Sequence, residues 1–522
     1  MLHTNNIKYI IVSLICVILG VQSIYSQKAD SLRSLYLSKS LAKDINLSLY
    51  SPTFSSSSFD KQIAYSDVGI TFRNEIGNFH RVQLAENYNS VGFMADGSYI
   101  GKRLYMVGTF DFQQEFKNKV SFTSLLNPFR GTPYDLADST SSNWRVQNYC
   151  VNGKIAYELV PGALSLGLDG SINVARGAKQ IDPRPKTNNN DIVFTPSLSF
   201  HRNGHIISIG GSYKMFKENV NLILYNSSES QKIYQLKGLG QYTYSIFSTT
   251  ERDRKYIGNG MSGVVSYQYS NASLSFLLQG KYTNYGEKAA DIEESKLKTI
   301  GKFFNDDIDI NAEIKYQYKH SVNTLNLKYK QINQSGREII QIFNPSEDVN
   351  DWETESEIPR RWTKNISLLG GEYNYYLLSK DNKYSQLNIE LQAWYSTNNE
   401  EYKVMDTYRK YNSLFLQLSP KYSFFIAKNF FSSINIVGGY NFINDFEAQY
   451  IEREEDDHTI KNRYFDYDSN IISSNYFKLG GAINCGYSLK NGSSFVLDIN
   501  YFILKATERN RHNIGASLIY NW

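Results

Sequence analysis

Along most of the chain apolar and polar residues alternate with a period of two, the spacing that sends successive side chains to opposite faces of a β-strand. In 163–175, Leu164, Leu166, Leu168, Ile172 and Val174 oppose Ser165, Gly167, Asp169, Ser171 and Asn173. In 305–320, Ile308, Ile310, Ala312 and Ile314 oppose Asp309, Asn311, Glu313 and Lys315. The last segment, Arg511 to Trp522, places Ile514, Ala516, Leu518, Tyr520 and Trp522 on one face and Asn513, Gly515, Ser517 and Asn521 on the other. Seventeen such candidate strands follow one another from 88–99 to 509–522.

Connections between them alternate in length. Pro161-Gly162, Asn203-Gly204, Asp381-Asn382 and Asn491-Gly492 have tight-turn chemistry. Between those hairpins lie long connections, at about 117–144, 176–190, 217–259, 285–304, 336–365 and 445–471. A transmembrane barrel with short turns at one rim and long loops at the other alternates in this way. Its two ends share a rim, which requires an even strand count. One more strand within 67–87 gives 18, within a range of 14 to 18; the alternative for 67–87 is an inserted plug. So many strands enclose a lumen too wide for side chains to fill, so the polar face points inward and the apolar face meets lipid. The expected fold is therefore an all-β, transmembrane antiparallel β-barrel over 67–522, with short periplasmic turns and long extracellular loops.

Composition and the ends of the chain add a compartment. Tyr (41) exceeds Phe (29), which suits membrane interfaces, and 55 Lys plus Arg against 51 Asp plus Glu gives no electrostatic case for nucleic acid. The apolar run Tyr9 to Val21 follows Lys8 and precedes Ser26, the layout of a secretory signal over 1–26, with 27–66 as a periplasmic N-terminal segment. Cys150 and Cys485 fall on opposite strand faces, so no disulfide is expected.

The aromatic end of the last strand, with Leu518, Tyr520 and Trp522, resembles the C-terminal assembly signal of bacterial outer-membrane barrels. Together with the signal segment, the stretch Gly77 to Glu86 and Asp182-Pro183-Arg184-Pro185-Lys186, it resembles an uncharacterised outer-membrane β-barrel family of Bacteroidota. That resemblance implies location in the cell outer membrane, and with it membrane lipid, lipopolysaccharide and the barrel assembly machinery as partners. The chain departs from the TonB-dependent receptors, being too short for about 22 strands plus a globular plug.

Candidate chemistry is sparse. Arg176, Lys179, Arg184 and Lys186 read as a basic loop, either solvated or folded into the pore as a constriction that meets anionic ligand or lipopolysaccharide. Glu452 to Asp457 and Glu347 to Glu357 are acidic runs, either solvated or bridged by divalent ions. Asp309, Glu313, Lys315, Glu372, Glu390 and Asp498 face the lumen, where opposed charges either set a field across the pore or pair with one another. His201 and His205 diverge across a turn, which argues against a shared metal. No nucleophile elbow or metalloprotease signature is present, so neither catalysis, cofactor nor metal is expected. The functional expectation is a channel or accessory uptake protein for a small solute or hydrophobic nutrient. The alternative is a non-conducting, surface-binding partner of an outer-membrane receptor.

Overall fold

The computed structural model describes residues 65–226, 231–247, 251–346, 350–380, 384–427, 429–452, 458–489 and 492–522. The signal segment and nearly all of the N-terminal segment lie outside these residues, as do Asp381, Asn382 and Asn491. In chain order the strands are β1 (Tyr65–Ile76), β2 (Asn87–Ile100), β3 (Leu104–Val120), β4 (Tyr134–Ala137), β5 (Ser142–Val160), β6 (Leu164–Lys179) and β7 (Arg184–Arg202). Next come β8 (His205–Ile223), β9 (Gln231–Lys237), β10 (Tyr242–Phe247), β11 (Glu251–Ser270), β12 (Leu274–Glu293), β13 (Lys296–Tyr318) and β14 (Ser321–Asn344). The last seven are β15 (Asp351–Leu378), β16 (Ser385–Tyr402), β17 (Thr407–Ala427), β18 (Phe430–Gln449), β19 (Tyr476–Ser488), β20 (Ser494–Lys505) and β21 (Asn510–Asn521).

Eighteen of these form one closed antiparallel wall, while β4, β9 and β10 form a separate sheet in the order β10-β9-β4. Closure is made by β1 against β21, with Val68 opposite Tyr520 and Ile70 opposite Leu518. Ser66 and Trp522 exchange both backbone hydrogen bonds, at 3.0 and 3.3 Å. No edge is left in the wall, which lipid requires because it offers no partner to a bare N–H or C=O.

The two faces follow the sequence pattern. Leu168, Ile172, Ile310, Leu497 and Leu518 are exposed on the outside. The positions between such residues point inward, where Asn148, Asn173, Asn189, Asp191 and Asn305 line a cavity. Cys150 lies on the inward face with Asn148, Cys485 lies beside the exposed Ile483 and Tyr487, and both are free thiols. Residues 65–76 belong to the wall and 77–86 form its first loop.

The short turns carry the expected backbone. Asn203 (φ 49°) and Gly204 (φ 81°) supply the two left-handed positions of a primed hairpin turn. At the other rim the structure corrects the expected loops. Connections read as 176–190, 285–304 and 336–365 shrink to 180–183, 294–295 and 345–350. The strands simply continue, β15 for 28 residues. Beyond the apolar band both faces of a strand are wet, so the alternation fades, yet the backbone ladder needs no particular side chain to persist. The described residues of the remaining long insertions, 77–86, 121–141, 224–226 with 231–247, and 450–452 with 458–475, fold together over the barrel mouth.

The seam predicts an assembly phenotype. Deleting Trp522, or the change Tyr520→Asp, is expected to lower heat-modifiable barrel in the membrane several-fold while precursor collects in the periplasm. Unchanged membrane levels on fractionation would contradict it.

Candidate gate and lumen cavity

The insertion between β3 and β5 contains Leu125, Leu126 and then Asn127-Pro128-Phe129-Arg130-Gly131. Proline after asparagine sets a turn. The Arg130 amide donates to the Asn127 carbonyl at 3.4 Å, and the Phe129 amide to Asn127 Oδ1 at 3.1 Å. Gly131 has φ 114°, and a Cβ there would strike Gln334 and Phe303, so the tip lies close against the wall.

Arg130 holds this tip inside the barrel. Its Nη1 pairs with Glu287 of β12, and its Nε lies 3.2 Å from Glu218 of β8. The guanidinium also sits over the rings of Phe216 and Tyr256, at 4.7 and 4.8 Å. Both carboxylates are almost fully buried, and each has a further donor: the Leu126 amide to Glu218 at 3.0 Å and the Tyr285 hydroxyl to Glu287 at 2.8 Å. One loop cation thus joins the two wall strands that flank β11.

Further ion pairs hold the insertions to the wall and to one another. Lys179 Nζ reaches both oxygens of Asp138 at 2.7 Å. Lys237 meets Glu338 of β14 at 3.2 Å, and Tyr402 donates to the same carboxylate at 2.6 Å. Arg81 Nε donates to Asp468 at 2.8 Å, and the Val82 amide to the same side chain at 2.9 Å. Asp468 sits on a short helix, α1 (Tyr467–Ile472), that follows a π-helical turn. Val82, Phe122, Ala137, Tyr234, Leu236, Tyr242 and Ile460 close into one buried cluster drawn from all four insertions. The result is a lid.

Beneath the tip lies a cavity of about 830 Å³. Phe129 and Leu84 are exposed toward it from above, while its walls mix amides and charges with the apolar side chains of Trp144, Val146, Phe216, Phe303, Ile332 and Ile366. Those charges are paired: Arg511 with Glu75 at 2.9 Å, Lys117 with Glu115 at 2.9 Å, and Lys214 with Asp191 at 2.9 Å.

The sequence-predicted lumen set divides. Asp309 pairs with Lys328 at 3.4 Å, and Lys154 with Asp169 at 3.3 Å, so these charges neutralise neighbours on the wall. Glu313 and Glu372 lie in one cross-strand row, both opposite Asn326, with Glu372 opposite Gln392. Gln392 donates to Glu390 at 2.6 Å, while Lys315 continues the inward face of β13. Asp498 accepts from Asn484 at 3.3 Å, away from that row. The basic segment does not constrict the pore. Arg176, Arg184 and Lys186 point outward from β6 and β7, and Lys179 alone turns inward, consumed by Asp138. The lumen is approached instead by Arg130, on a different loop.

Of the acidic runs, 347–349 and 453–457 lie outside the described residues. Glu357 belongs to β15 and meets Lys302 at 3.0 Å and Arg337 at 2.7 Å. His201 is bound to Ser165 at 2.8 Å, with Ser165 1% exposed and so closed to substrate. His205 bonds Tyr267 at 2.8 Å on the outside. Among the described residues no group of three His, Cys, Asp or Glu is placed to hold a metal. Sequence reasoning passed over Arg130, Glu218, Glu287, Arg81 and Asp468. The available signal was Leu125-Leu126 beside an Asn-Pro turn, two apolar residues in a segment read as solvated loop.

One sequence family, described as a family of unknown function (DUF6850), matches residues 52–521. The chain belongs to that family. No curated protein matches the sequence. Solved structures similar to this DUF6850 member include the copper transporter OprC, at 8% identity and TM-score 0.43, covering 84% of this chain and 62% of that one. The ferric citrate transporter FecA in its unliganded form is 10% identical with TM-score 0.40, covering 88% of this chain and 79% of that one. BauA, the ferric preacinetobactin receptor from Acinetobacter baumannii, is 7% identical with TM-score 0.41, covering 88% and 80%. The chain thus spans under two thirds of the length of the copper transporter.

The lid yields two expectations. Arg130→Ala leaves two buried carboxylates without their cation, a cost of about 3–5 kcal/mol. Protease cleavage within 121–141 should rise steeply, and adding Glu218→Gln and Glu287→Gln should restore protection. The second concerns pH. Burial pushes the Asp135 carboxyl up to about 7, against hydrogen bonds from the Thr123 hydroxyl at 2.6 Å and the Ser124 amide at 3.2 Å; Glu218 adds to the rise and Arg254 opposes it. An unfolded aspartate releases its proton near 4. The folded lid therefore binds the extra proton between those values, and its stability falls as pH rises from about 5 to about 7. Loop proteolysis should accelerate over that interval, and Asp135→Asn should flatten the profile.

Proposed function

We propose that this protein is an outer-membrane channel for the uptake of a small polar solute, closed at rest by its own extracellular loops. The observation that carries this reading is the Arg130 tip latched over a cavity of about 830 Å³ lined by both polar and apolar side chains. Short turns, the start of β1 and the end of β21 then face the periplasm, and the four insertions face outside. Residues 1–26 direct export and are removed, and Leu518, Tyr520 and Trp522 are read by the assembly machinery. The amides and paired charges of the wall hydrogen-bond the polar groups of such a solute, while Trp144, Phe216 and Phe303 cover its carbon skeleton. No catalytic residue is assigned. A second reading, a non-conducting partner of an outer-membrane receptor, draws on the same closed mouth, because a sealed lid also presents a continuous outer surface.

Single-channel recording in planar bilayers separates them. The wild-type barrel should stay largely closed, and Arg130→Ala or removal of 126–131 should raise open probability several-fold. A barrel that stays shut in both variants, even with 27–64 also removed, would contradict the channel and favour the partner.

A further inference from the structure

Six cations occupy the outer wall on consecutive barrel strands: Arg145 on β5, Arg176 on β6, Lys186 on β7, Lys217 on β8, Lys255 on β11 and Lys288 on β12. The register keeps them on one face and near one height. Arg145 stands opposite Ala178, Arg176 opposite Asn188, and Lys186 opposite Asn221. Lys217 stands opposite Ile257, and Lys255 opposite Ala290. Each cation is thus two to four residues along the strand from the level of the next.

None of the six forms an ion pair among the described residues. Among the described side chains of these six strands, the outward acid is Asp253, which accepts from Asn221 at 2.6 Å. On the opposite wall, by contrast, Lys410 faces Glu447 across the ladder. The belt ends where the apolar band begins. Met215 lies two residues below Lys217 and Ile257 two below Lys255, both exposed, with Ile172, Phe194 and Met261 on the same surface. Asn188, Asn190 and Asn219 fill the outward positions between the cations.

Unpaired cations at the edge of a lipid-facing surface sit at headgroup depth, where phosphate is the complementary charge. Strands about 4.8 Å apart make the belt roughly 24 Å wide, broader than one phosphodiester head. The interleaved amides are matched to sugar hydroxyls. We propose that this belt binds a phosphorylated glycolipid of the outer leaflet, the lipid A portion of lipopolysaccharide. The assignment rests on the loop rim being extracellular, as in the proposed function.

The test uses full-length protein in detergent, titrated with lipopolysaccharide, with dephosphorylated lipopolysaccharide and with phosphatidylglycerol micelles. The combined variant Arg176→Gln, Lys217→Gln and Lys255→Gln should bind lipopolysaccharide roughly 100-fold more weakly, about five-fold per cation. Lys410→Gln should bind as wild type, and so should Lys217→Arg with Lys255→Arg, which retains charge. Equal binding by the triple variant and wild type, with both heat-modifiable, would overturn the proposal. So would binding of the dephosphorylated lipid or phosphatidylglycerol as tight as that of lipopolysaccharide. Sidedness is read separately, by labelling Tyr244→Cys with a membrane-impermeant thiol reagent on intact cells. Absence of labelling would sink the orientation shared with the proposed function, whereas a failed titration sinks the belt alone.

Discussion

A strand in hydrocarbon has no solvent for its N–H and C=O groups, so every ladder must find a partner within the chain. The rest of this structure descends from that constraint. It forces β1 onto β21, and Ser66 with Trp522 completes the last pair of bonds at the rim. It also forces the inward face to be polar, because 18 strands enclose more space than their own side chains occupy. A wide wet lumen is the price of closure.

The lid answers that width. Its four insertions contribute a shared apolar cluster around Phe122, Tyr234 and Leu236, and burying each such side chain is worth about 1.5–3 kcal/mol. Buried ion pairs add much less net stability, since desolvating the charges offsets most of the attraction. Cohesion of the lid therefore comes from the cluster, while Arg130, Lys179 and Lys237 determine where it seats on the wall. This division is what a gate needs: loss of one cation unseats the tip without dissolving the lid.

The barrel was readable because its signal is local. Leu168 against Asp169, or Ile310 against Asp309, declares two faces within a few residues, and Asn203-Gly204 declares the turn between strands. The extent of the strands was less readable. Lys179 and Arg184 looked like loop because neither face there is apolar, although the ladder continues through both. The gate was hidden for a different reason. Arg130, Glu218 and Glu287 are separated by scores of residues and meet only when β8 and β12 pair with β11 and the 121–141 insertion folds back over them, so no spacing marks them. The lumen charges were legible as inward-facing, but their pairing with wall neighbours depended on register.

Hydrogen exchange on the full-length wild-type protein tests the central claim most directly, that the mouth is closed by its own loops. The Leu126 amide donates to Glu218 of the wall, a contact that exists only with the tip seated, and the Val82 amide donates to Asp468, a contact between two insertions that exists only with the lid assembled. Protection of both amides approaching that of wall strands such as β13 is the predicted result. Exchange of both at the rate of an unstructured loop, with the wall still protected, would contradict it.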